Sequence, residues 1–342
     1  MSNSIRNSFL GLGPMSNNVI EAIDEYSFEE KKAIMIICSR NQIECKSLGS
    51  GYVNDYSTED FSSIINHKKK RNPYIYLCRD HSGPFVRNTP KDNLKDELND
   101  TKTSMQVDIE CDFDLIHVDT SLCGSQKYEI AEELINHCNS LDKKKESLFF
   151  EYGSEEHGVA LNRENFKRDL DFLSKFNNIE FLVGTTGSLT KEIYQAGEFN
   201  NEDSLFMSNL AEEYNIRIKD HNCDYLDFAD VKLRKISGIG ALNVAPSFGA
   251  FESKILINIA SSLQLFKLIE NFKNVVLQKK KWIKWCYDNS NNNIKFFSSA
   301  HYFFMHESYF ELVEQIKKHR DLNKETINFL KKYINIYLQD ID

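Results

Sequence analysis

The feature that most constrains the fold of this chain is an alternation between short apolar runs and longer amphipathic segments. Seven runs are rich in β-branched and aromatic residues, and they occupy residues 33–38, 74–78, 115–119, 148–153, 179–184, 216–221 and 240–245. Continuous apolar runs are typical of strands that are buried on both faces. The segments between them have helical spacing, as in 128–141, where Ile130, Leu134 and Cys138 share one face. The pattern predicts an α/β protein with a parallel sheet.

Eight strand–helix units of this kind close into a (β/α)8 barrel, the TIM-barrel fold, which commonly forms one domain of this length. A weaker apolar run at 294–299, I-K-F-F-S-S, is the predicted eighth strand. An open doubly wound sheet is the alternative. We expect the barrel to span residues 1–306, with a polar insertion near 89–112 that forms a loop. Two C-terminal helices at 307–342 are expected to pack on the barrel.

The composition disfavours several classes of protein. Hydrophobic residues make up 41% of the 342 residues, which is enough for a large buried core. The formal net charge of −9 disfavours a nucleic-acid partner, because the average surface field repels a phosphate backbone. The eight cysteines include no C-x-x-C pair and are expected to be free thiols. With neither a signal-peptide pattern nor an apolar stretch that would cross a bilayer, the chain is expected to be cytoplasmic without a membrane partner.

Two histidines stand at the predicted strand ends, where parallel α/β proteins carry their reactive groups. Each directly follows an aspartate, in Asp80-His81 and in Asp220-His221. Imidazole is a common ligand of catalytic transition metals, and two histidines with one carboxylate leave coordination positions open for substrate. Each histidine has an alternative role as a hydrogen-bonded residue of the core, and the shared position at strand ends is what favours a metal site. Glu155 is the candidate carboxylate.

Six segments along the chain carry a resemblance to a known family. R-D-H-S-G-P (79–84), I-H-V-D-T-S (116–121), Y-G-S-E-E (152–156) and K-D-H-N-C-D-Y (219–225) are similar to G-D-H-x-G-P, I-H-L-D-x-S, I-G-T-E-V and E-A-H-S-T-D-Y. The segments S-R-N-Q-I-E with G-S-G-Y (39–52) and N-V-A-P-S-F (243–248) match in the same order. The chain resembles the class II D-tagatose-1,6-bisphosphate aldolase accessory-subunit family, formerly described as tagatose-6-phosphate kinases, which also includes ketose 4-epimerases.

The resemblance implies reversible aldol cleavage of a ketose or ketose phosphate. It places a divalent metal ion on His81, Glu155 and His221, with zinc expected and manganese, cobalt or nickel as alternatives. Asp80 is the predicted acid/base residue, with Asp119 or Glu156 as the next candidate. Recombination of the cleaved fragments gives epimerisation at C4, which we favour, and their release gives an aldolase. The remaining alternative for the function is a non-catalytic accessory subunit, which would bind the catalytic subunit of an aldolase. A homo-oligomer is the other possible assembly.

The substrate-binding residues are predicted from the same strand ends, and they are Asn41, Gln42, Gly184, Thr185, Ser188, Asp224 and Ser247. The turn 184–188 is interpreted either as a phosphate-binding nest or as an ordinary strand–helix turn. Lys219 has two interpretations, a Schiff-base nucleophile or a member of an ion pair. The family's Arg-bearing S-D-R-I-R motif is replaced near 298–303 by S-S-A-H-Y-F, which leaves open whether the sugar carries a phosphate.

Overall fold

Eight parallel strands form a closed barrel in a computed structural model that describes residues 5–142, 148–154 and 160–340. Each strand pairs with its neighbours in sequence, and the first pairs with the last. The strands β1 to β8 are Leu10–Leu12, Ile34–Ser39, Ile75–Ser82, Leu115–Asp119, Phe149–Gly153, Ile179–Val183, Arg217–Asp220 and Ala241–Val244. The (β/α)8 fold predicted from the sequence is confirmed.

The seven predicted apolar runs are β2 to β8, so the sequence interpretation missed the first strand of the barrel. This strand, L-G-L at Leu10–Leu12, has only three residues. It nevertheless closes the barrel, because Leu10 pairs with Ile34 of β2 on one side and with Leu242 of β8 on the other. A run this short carries too little periodicity to be separated from a loop.

The run 294–299, predicted as the eighth strand, is instead helical, and this prediction is wrong. It lies within a helix at Asn292–Ser299, and the side chain of Asn291 accepts hydrogen bonds from the backbone N–H groups of Asn293 and Ile294. An asparagine at this position satisfies the free donors of a helix N-terminus and so favours helix over strand.

Twelve helices surround the barrel in the described part of the chain. The helices α1 to α6 are Asn17–Glu30, Thr58–Lys69, Leu94–Glu110, Lys127–Leu141, Arg163–Leu173 and Asn201–Glu212. The helices α7 to α12 are Phe228–Ile236, Pro246–Ser262, Phe266–Gln278, Asn292–Ser299, Glu307–Lys317 and Leu322–Leu338. Many begin at a serine, asparagine or aspartate whose side chain accepts a backbone hydrogen bond, as Ser16 does from Val19.

The segment 89–112, predicted as a polar insertion that forms a loop, instead contains the regular helix α3 of the outer ring, so the expectation of a loop is wrong. Its polar residues have partners inside the protein: Asp108 of α3 forms an ion pair with Arg79 of β3 at 2.5 Å, and both side chains are fully buried. Arg79 also donates to Thr58 of α2. The polarity of this segment therefore reflects a buried network in addition to a solvated face.

The C-terminal helices pack in two places. Helices α8 to α11 share an apolar cluster that includes Leu256, Phe272, Phe296 and Leu312. Helix α12 packs on α1 and α8, and Tyr337 donates a hydrogen bond to the carbonyl oxygen of Cys223 beside the barrel. The division of the chain at residue 306 stays a prediction.

The barrel interior is apolar toward the N-terminal ends of the strands. Side chains of a small core cluster fill it, and they are Ile5, Met35, Ile37, Cys78, Leu115, Phe181 and Ala241. All eight cysteines are free thiols. Among the described residues, no helix is both long enough and apolar enough to cross a membrane.

Candidate metal centre

Three histidines from different strands meet at the carboxyl-end face of the barrel. His81 lies in β3, His117 lies in β4 and His221 directly follows β7. Their ring centroids are 5.0 Å apart for His81 and His117, 5.3 Å for His81 and His221, and 5.2 Å for His117 and His221. Together with Asp80 they present donor atoms that all lie within 4.8 Å of one another. Three imidazoles and one carboxylate form a donor set that suits a transition metal ion.

A β-bulge brings two consecutive residues, Asp80 and His81, to the same cavity. In a regular strand their side chains would point to opposite faces. The pairing of β3 with β4 shifts between Arg79 and Ser82, with one extra residue on β3. His81 has a φ of 45°, in the left-handed region that non-glycine residues rarely adopt. The bulge re-aims the side chains, and such strain is often found at functional sites.

Asp119 fixes the orientation of the His81 ring. The Nδ1 atom of His81 lies 2.6 Å from Oδ2 of Asp119, whose other oxygen accepts hydrogen bonds from the backbone and the hydroxyl of Ser121. Burial by itself would lower the pKa of His81, but the carboxylates of Asp80, Asp119 and Glu151 raise it to about 9. Burial opposes the ionisation of Asp119, yet the imidazole of His81 holds the pKa of that carboxyl below its usual range. A carboxylate that accepts from a ring nitrogen sets which nitrogen faces the centre.

Glu151 of β5 forms the floor of the centre. Its Oε1 lies 2.6 Å from Nε2 of His221 and 3.7 Å from Nδ1 of His117. Its Oε2 accepts a hydrogen bond of 2.5 Å from Nζ of Lys219, and both side chains are buried. Although burial opposes it, the charges of Lys219 and the two imidazoles lower the pKa of Glu151. The ion pair and the imidazoles therefore form one connected polar network.

His117 is the member of the cluster that the sequence interpretation did not select. Its Nδ1 accepts a hydrogen bond of 3.2 Å from the backbone N–H of His81 and lies 3.4 Å from Oδ1 of Asp80. Its Nε2 is buried and has no hydrogen-bond partner among the described residues. A signal existed in L-I-H-V-D, because strand alternation places His117 and Asp119 on the same face.

The cluster lies in a cavity of about 510 Å³. The predicted site residues that line it are Asn41, Gln42, Asp80, His81, Asp119, His221 and Asp224. The predicted residues that the structure describes but that do not line it are Gly184, Thr185, Ser188 and Ser247. Glu155 and Glu156 lie outside the described residues, so their roles stay predictions.

The turn 184–188 is held by internal hydrogen bonds. The hydroxyls of Thr186 and Ser188 donate to the carboxylate of Asp220, at 2.5 and 2.8 Å. Arg234 donates to both Ser188 and Asp220. These contacts agree with an ordinary strand–helix turn, and the role of Gly184, Thr185 and Ser188 in binding substrate stays a prediction.

Asp224 has a structural task that the sequence did not indicate. One of its oxygens accepts hydrogen bonds from the backbone N–H groups of Ala245 and Ser247, at 3.1 and 2.8 Å, where helix α8 begins. Burial raises the pKa of Asp224 to about 6 against the effect of these hydrogen bonds. The hydroxyl of Ser247 accepts from Tyr333. The N-terminus of α8 is therefore already capped by a carboxylate of the protein.

Comparison with known proteins supports the fold. The sequence matches no protein-family profile, and none of the curated proteins matches it closely enough to indicate a relative. Among solved structures it is similar to a probable tagatose 6-phosphate kinase from Sinorhizobium meliloti 1021, with 16% identity over 96% of this chain and 93% of that chain, at a TM-score of 0.75.

Two aldolases of known structure are also similar to this chain. The fructose-bisphosphate aldolase of Campylobacter jejuni matches with 10% identity over 97% of this chain and 90% of that chain, at a TM-score of 0.57. The YdjI aldolase of Escherichia coli K12 matches with 11% identity over 91% of each chain, at a TM-score of 0.51. At such low identity these likenesses show a shared fold, on which the function is a separate question.

Proposed function

We propose that this chain catalyses metal-dependent retro-aldol chemistry on a ketose or ketose phosphate. The observation that carries the proposal is the convergence of Asp80, His81, His117 and His221 at the carboxyl-end face of the barrel, where barrels of this kind hold their active sites. The motifs shared with the tagatose-bisphosphate aldolase accessory family supply the reaction class. The solved structures with a similar fold include aldolases.

The residues present fit a divalent metal ion. Donor atoms from three imidazoles and a carboxylate lie within 4.8 Å of one another, and Asp119 and Glu151 support two of the rings from behind. We assign His81, His117 and His221 as ligands and keep Glu155 as a predicted one; zinc is the expected ion. When bound, a divalent ion supplies positive charge to the ketose oxygen that becomes negative as the carbon–carbon bond breaks.

Asp80 is our choice for the proton transfer. It lies 3.4 Å from Nδ1 of His117 and accepts a hydrogen bond of 3.3 Å from Asn243. Burial opposes its ionisation, but the charge of His81 and the neighbouring imidazoles hold its pKa well below the usual range. It is therefore ionised, and it lines the cavity, where it can face the substrate hydroxyl. Asp119 is already engaged by His81 and Ser121, so we assign it to positioning.

The reaction follows from these roles. Asp80 takes the proton of the C4 hydroxyl, the C3–C4 bond breaks, C4 becomes an aldehyde carbon and the electron pair moves toward the C2 carbonyl oxygen. If the aldehyde turns and the C3–C4 bond reforms on its other face, the product is the C4 epimer. If both fragments leave, the protein is an aldolase. We favour epimerisation because residues of the C-terminal region line part of the cavity, and such a lining would help to retain a fragment.

The Schiff-base alternative has little support from the position of Lys219. Its side chain is fully buried, and its ammonium group lies 2.5 Å from Glu151. A Schiff-base lysine must present its amino group to the carbonyl of the substrate, and Lys219 does not line the cavity. We therefore assign Lys219 to the ion pair.

The deciding experiment is incubation of the purified protein with ketoses and ketose phosphates in the presence of zinc, manganese, cobalt or nickel salts, followed by NMR of the products. We expect a C4 epimer with a metal-loaded sample and none in His81→Ala or His221→Ala. Triose fragments would identify an aldolase instead. Absence of turnover with every sugar, combined with stimulation of a separate aldolase subunit by both wild type and His81→Ala, would establish the accessory role and overturn this proposal.

A further inference from the structure

A second polar part of the cavity wall comes from two short helical segments of the C-terminal region. One is the single 3-10 turn Lys281–Lys284, and the other is the 3-10 turn Ala300–Phe303. They contribute Lys284 with Trp285 and His301 with Tyr302 to the lining. These residues are far from the strand ends in sequence, so their presence at the mouth of the barrel follows from the packing of α8 to α11.

Lys284 is the sole lysine or arginine among the described residues that line the cavity. It is solvent-accessible, it packs 4.9 Å above the ring of Trp285, and it forms no ion pair within the described part of the chain. Desolvation by the surrounding protein lowers the pKa of Lys284, and the nearby carboxylate of Asp80 opposes this shift. Three carboxylates, those of Asp80, Asp119 and Asp224, line the same cavity. Without Lys284 an anionic group would meet mainly negative side chains here, so this ammonium group is the positive side chain that lines the cavity outside the metal centre.

His301 is a buried imidazole without hydrogen-bond partners. Its exposed fraction is 2%, and both ring nitrogens lack partners in the portion of the chain described. Its ring packs on Tyr302 with a centroid separation of 4.2 Å. Buried polar groups are nearly always satisfied, so two unused nitrogens beside a cavity indicate a missing partner. Burial, together with the charge of Lys284, lowers the pKa of His301 to about 3, and a neutral ring offers one N–H donor.

The geometry of helix α8 holds His301 in place. A Cβ added at Gly249 would lie 2.6 Å from Cβ and 2.9 Å from Nδ1 of His301. Any larger residue at this position would push the ring away. The imidazole therefore depends on a close approach that only glycine permits.

Two other places that commonly bind anions are already occupied by groups of the protein. The N-terminus of α8 is capped by Asp224. The turn 184–188 is tied to Asp220 and Arg234. Among the described residues of the cavity wall, Lys284 is left as the lysine or arginine side chain that lines the cavity, and His301 as a lining imidazole whose two nitrogens have no partner in the protein.

We propose that Lys284 and His301 form an oxyanion subsite that binds a phosphate or carboxylate group carried by the sugar. Lys284 supplies the charge, and the N–H of His301 donates one hydrogen bond to the same group. This inference rests on the proposed function, which supplies the sugar substrate. It deepens that function by naming an anionic sugar as the substrate class. It also accounts for the missing arginine motif, because the replacement segment 298–303 contains His301.

Calorimetric binding to the full-length protein tests the subsite without requiring turnover. The probes are fructose, fructose 6-phosphate, fructuronate and inorganic phosphate. Since a charge-assisted hydrogen bond is stronger than a neutral one, we expect at least one anionic sugar to bind roughly tenfold or more tighter than fructose. A preference for the 6-phosphate identifies a sugar phosphate as the substrate, and a preference for fructuronate identifies a sugar acid.

Variants separate the subsite from general effects on the fold. Lys284→Met should abolish the preference for the anionic sugar, Lys284→Arg should retain it, and Lys281→Met, an exposed lysine of the same turn that does not line the cavity, should leave it unchanged. Because the Lys284 side chain is solvent-accessible, these variants are expected to fold. His301→Phe should weaken binding of the anionic sugar more than binding of fructose.

Failure of the subsite and failure of the proposed function give different results. If the preference for an anionic sugar depends on Lys284 but no sugar is turned over, the subsite stands and the catalytic proposal falls. If neutral ketoses are turned over and bound as tightly as anionic ones, or if Lys284→Met keeps the wild-type preference, the subsite is overturned while the retro-aldol reaction is retained.

Discussion

Glu151 of β5 lies 2.6 Å from the imidazole of His221, which follows β7 two positions along the barrel. The same carboxylate holds Lys219 through its other oxygen. A single buried side chain therefore joins the ion pair of the barrel interior to the histidine cluster above it. This arrangement makes the stability of the barrel and the geometry of the candidate centre depend on each other.

Replacement of Glu151 by glutamine is expected to destabilise the protein strongly. The change leaves the ammonium group of Lys219 buried without its carboxylate, and breaking a buried ion pair from one side costs about 3–5 kcal/mol. The free energy of unfolding in urea measures this. In the double variant Glu151→Gln/Lys219→Met the loss should be smaller, because no unpaired charge remains.

The matched control for this change is Glu25→Gln, which removes a surface partner of Lys331. An exposed ion pair contributes about 0–1 kcal/mol, so a change within that range is expected. Equal effects of the two glutamine substitutions on the free energy of unfolding would contradict the role assigned to the buried pair.

Removal of the imidazole of His117 should release most of the bound metal. His117→Ala deletes a donor that lies within 4.8 Å of those of Asp80, His81 and His221, and the remaining set is incomplete for a transition metal. Metal analysis of the purified variant by mass spectrometry checks this, with the exposed His319→Ala as control. A variant that keeps its metal would show that His117 is a structural residue.

A methyl group added at Gly153 should disturb the centre, although none of the proposed ligands is replaced. An added Cβ would lie 2.6 Å from Nε2 of His117, and the buried ring has little room to move. Forced overpacking of this kind costs about 1–3 kcal/mol. We expect Gly153→Ala to lower both stability and metal affinity.

Introducing Gly153→Ala into the His117→Ala variant tests the origin of that effect. Once the ring is gone, Gly153→Ala has no atom to clash with at Nε2, so its cost in free energy of unfolding should fall. An unchanged cost in the double variant would place the strain elsewhere in β5.

The pH dependence of stability should reveal the buried carboxyl group of Glu252. It accepts hydrogen bonds from Ser16 and Asn18, at 2.5 and 2.7 Å, yet burial raises its pKa from 4.5 to about 6. A raised carboxyl pKa favours the protonated folded state, so its stabilising contribution is full below pH 4.5 and is lost as pH rises through 6. The shift corresponds to about 2 kcal/mol.

Glu252→Gln removes this titration. As the pH rises from 4 to 8, we expect the free energy of unfolding of the variant to increase by about 2 kcal/mol relative to that of wild type. Urea unfolding across that range measures this difference. Glu270→Gln, at an exposed position of α9, is the control and should track the wild type. A constant difference between Glu252→Gln and wild type would argue against the raised pKa.

Much of the candidate site was predictable because parallel strands all end on one face of the sheet. Asp80, His81, Asp119 and His221 follow or end apolar runs, and this position is visible in the sequence. The structure brings these four residues together around one cavity. His117 and Glu151 were overlooked because each lies inside an apolar run, where a single polar residue is easily interpreted as part of the core.

What the sequence by itself determined is the alternation of buried strands and amphipathic helices, and with it the barrel. Local periodicity is sufficient for that, since burial on both faces requires continuous apolar runs. Only the tertiary structure decided how the barrel closes through Leu10–Leu12, how a bulge turns both Asp80 and His81 inward, and how Lys284 and His301 reach the cavity. These features depend on contacts between residues far apart along the chain, which no local pattern records.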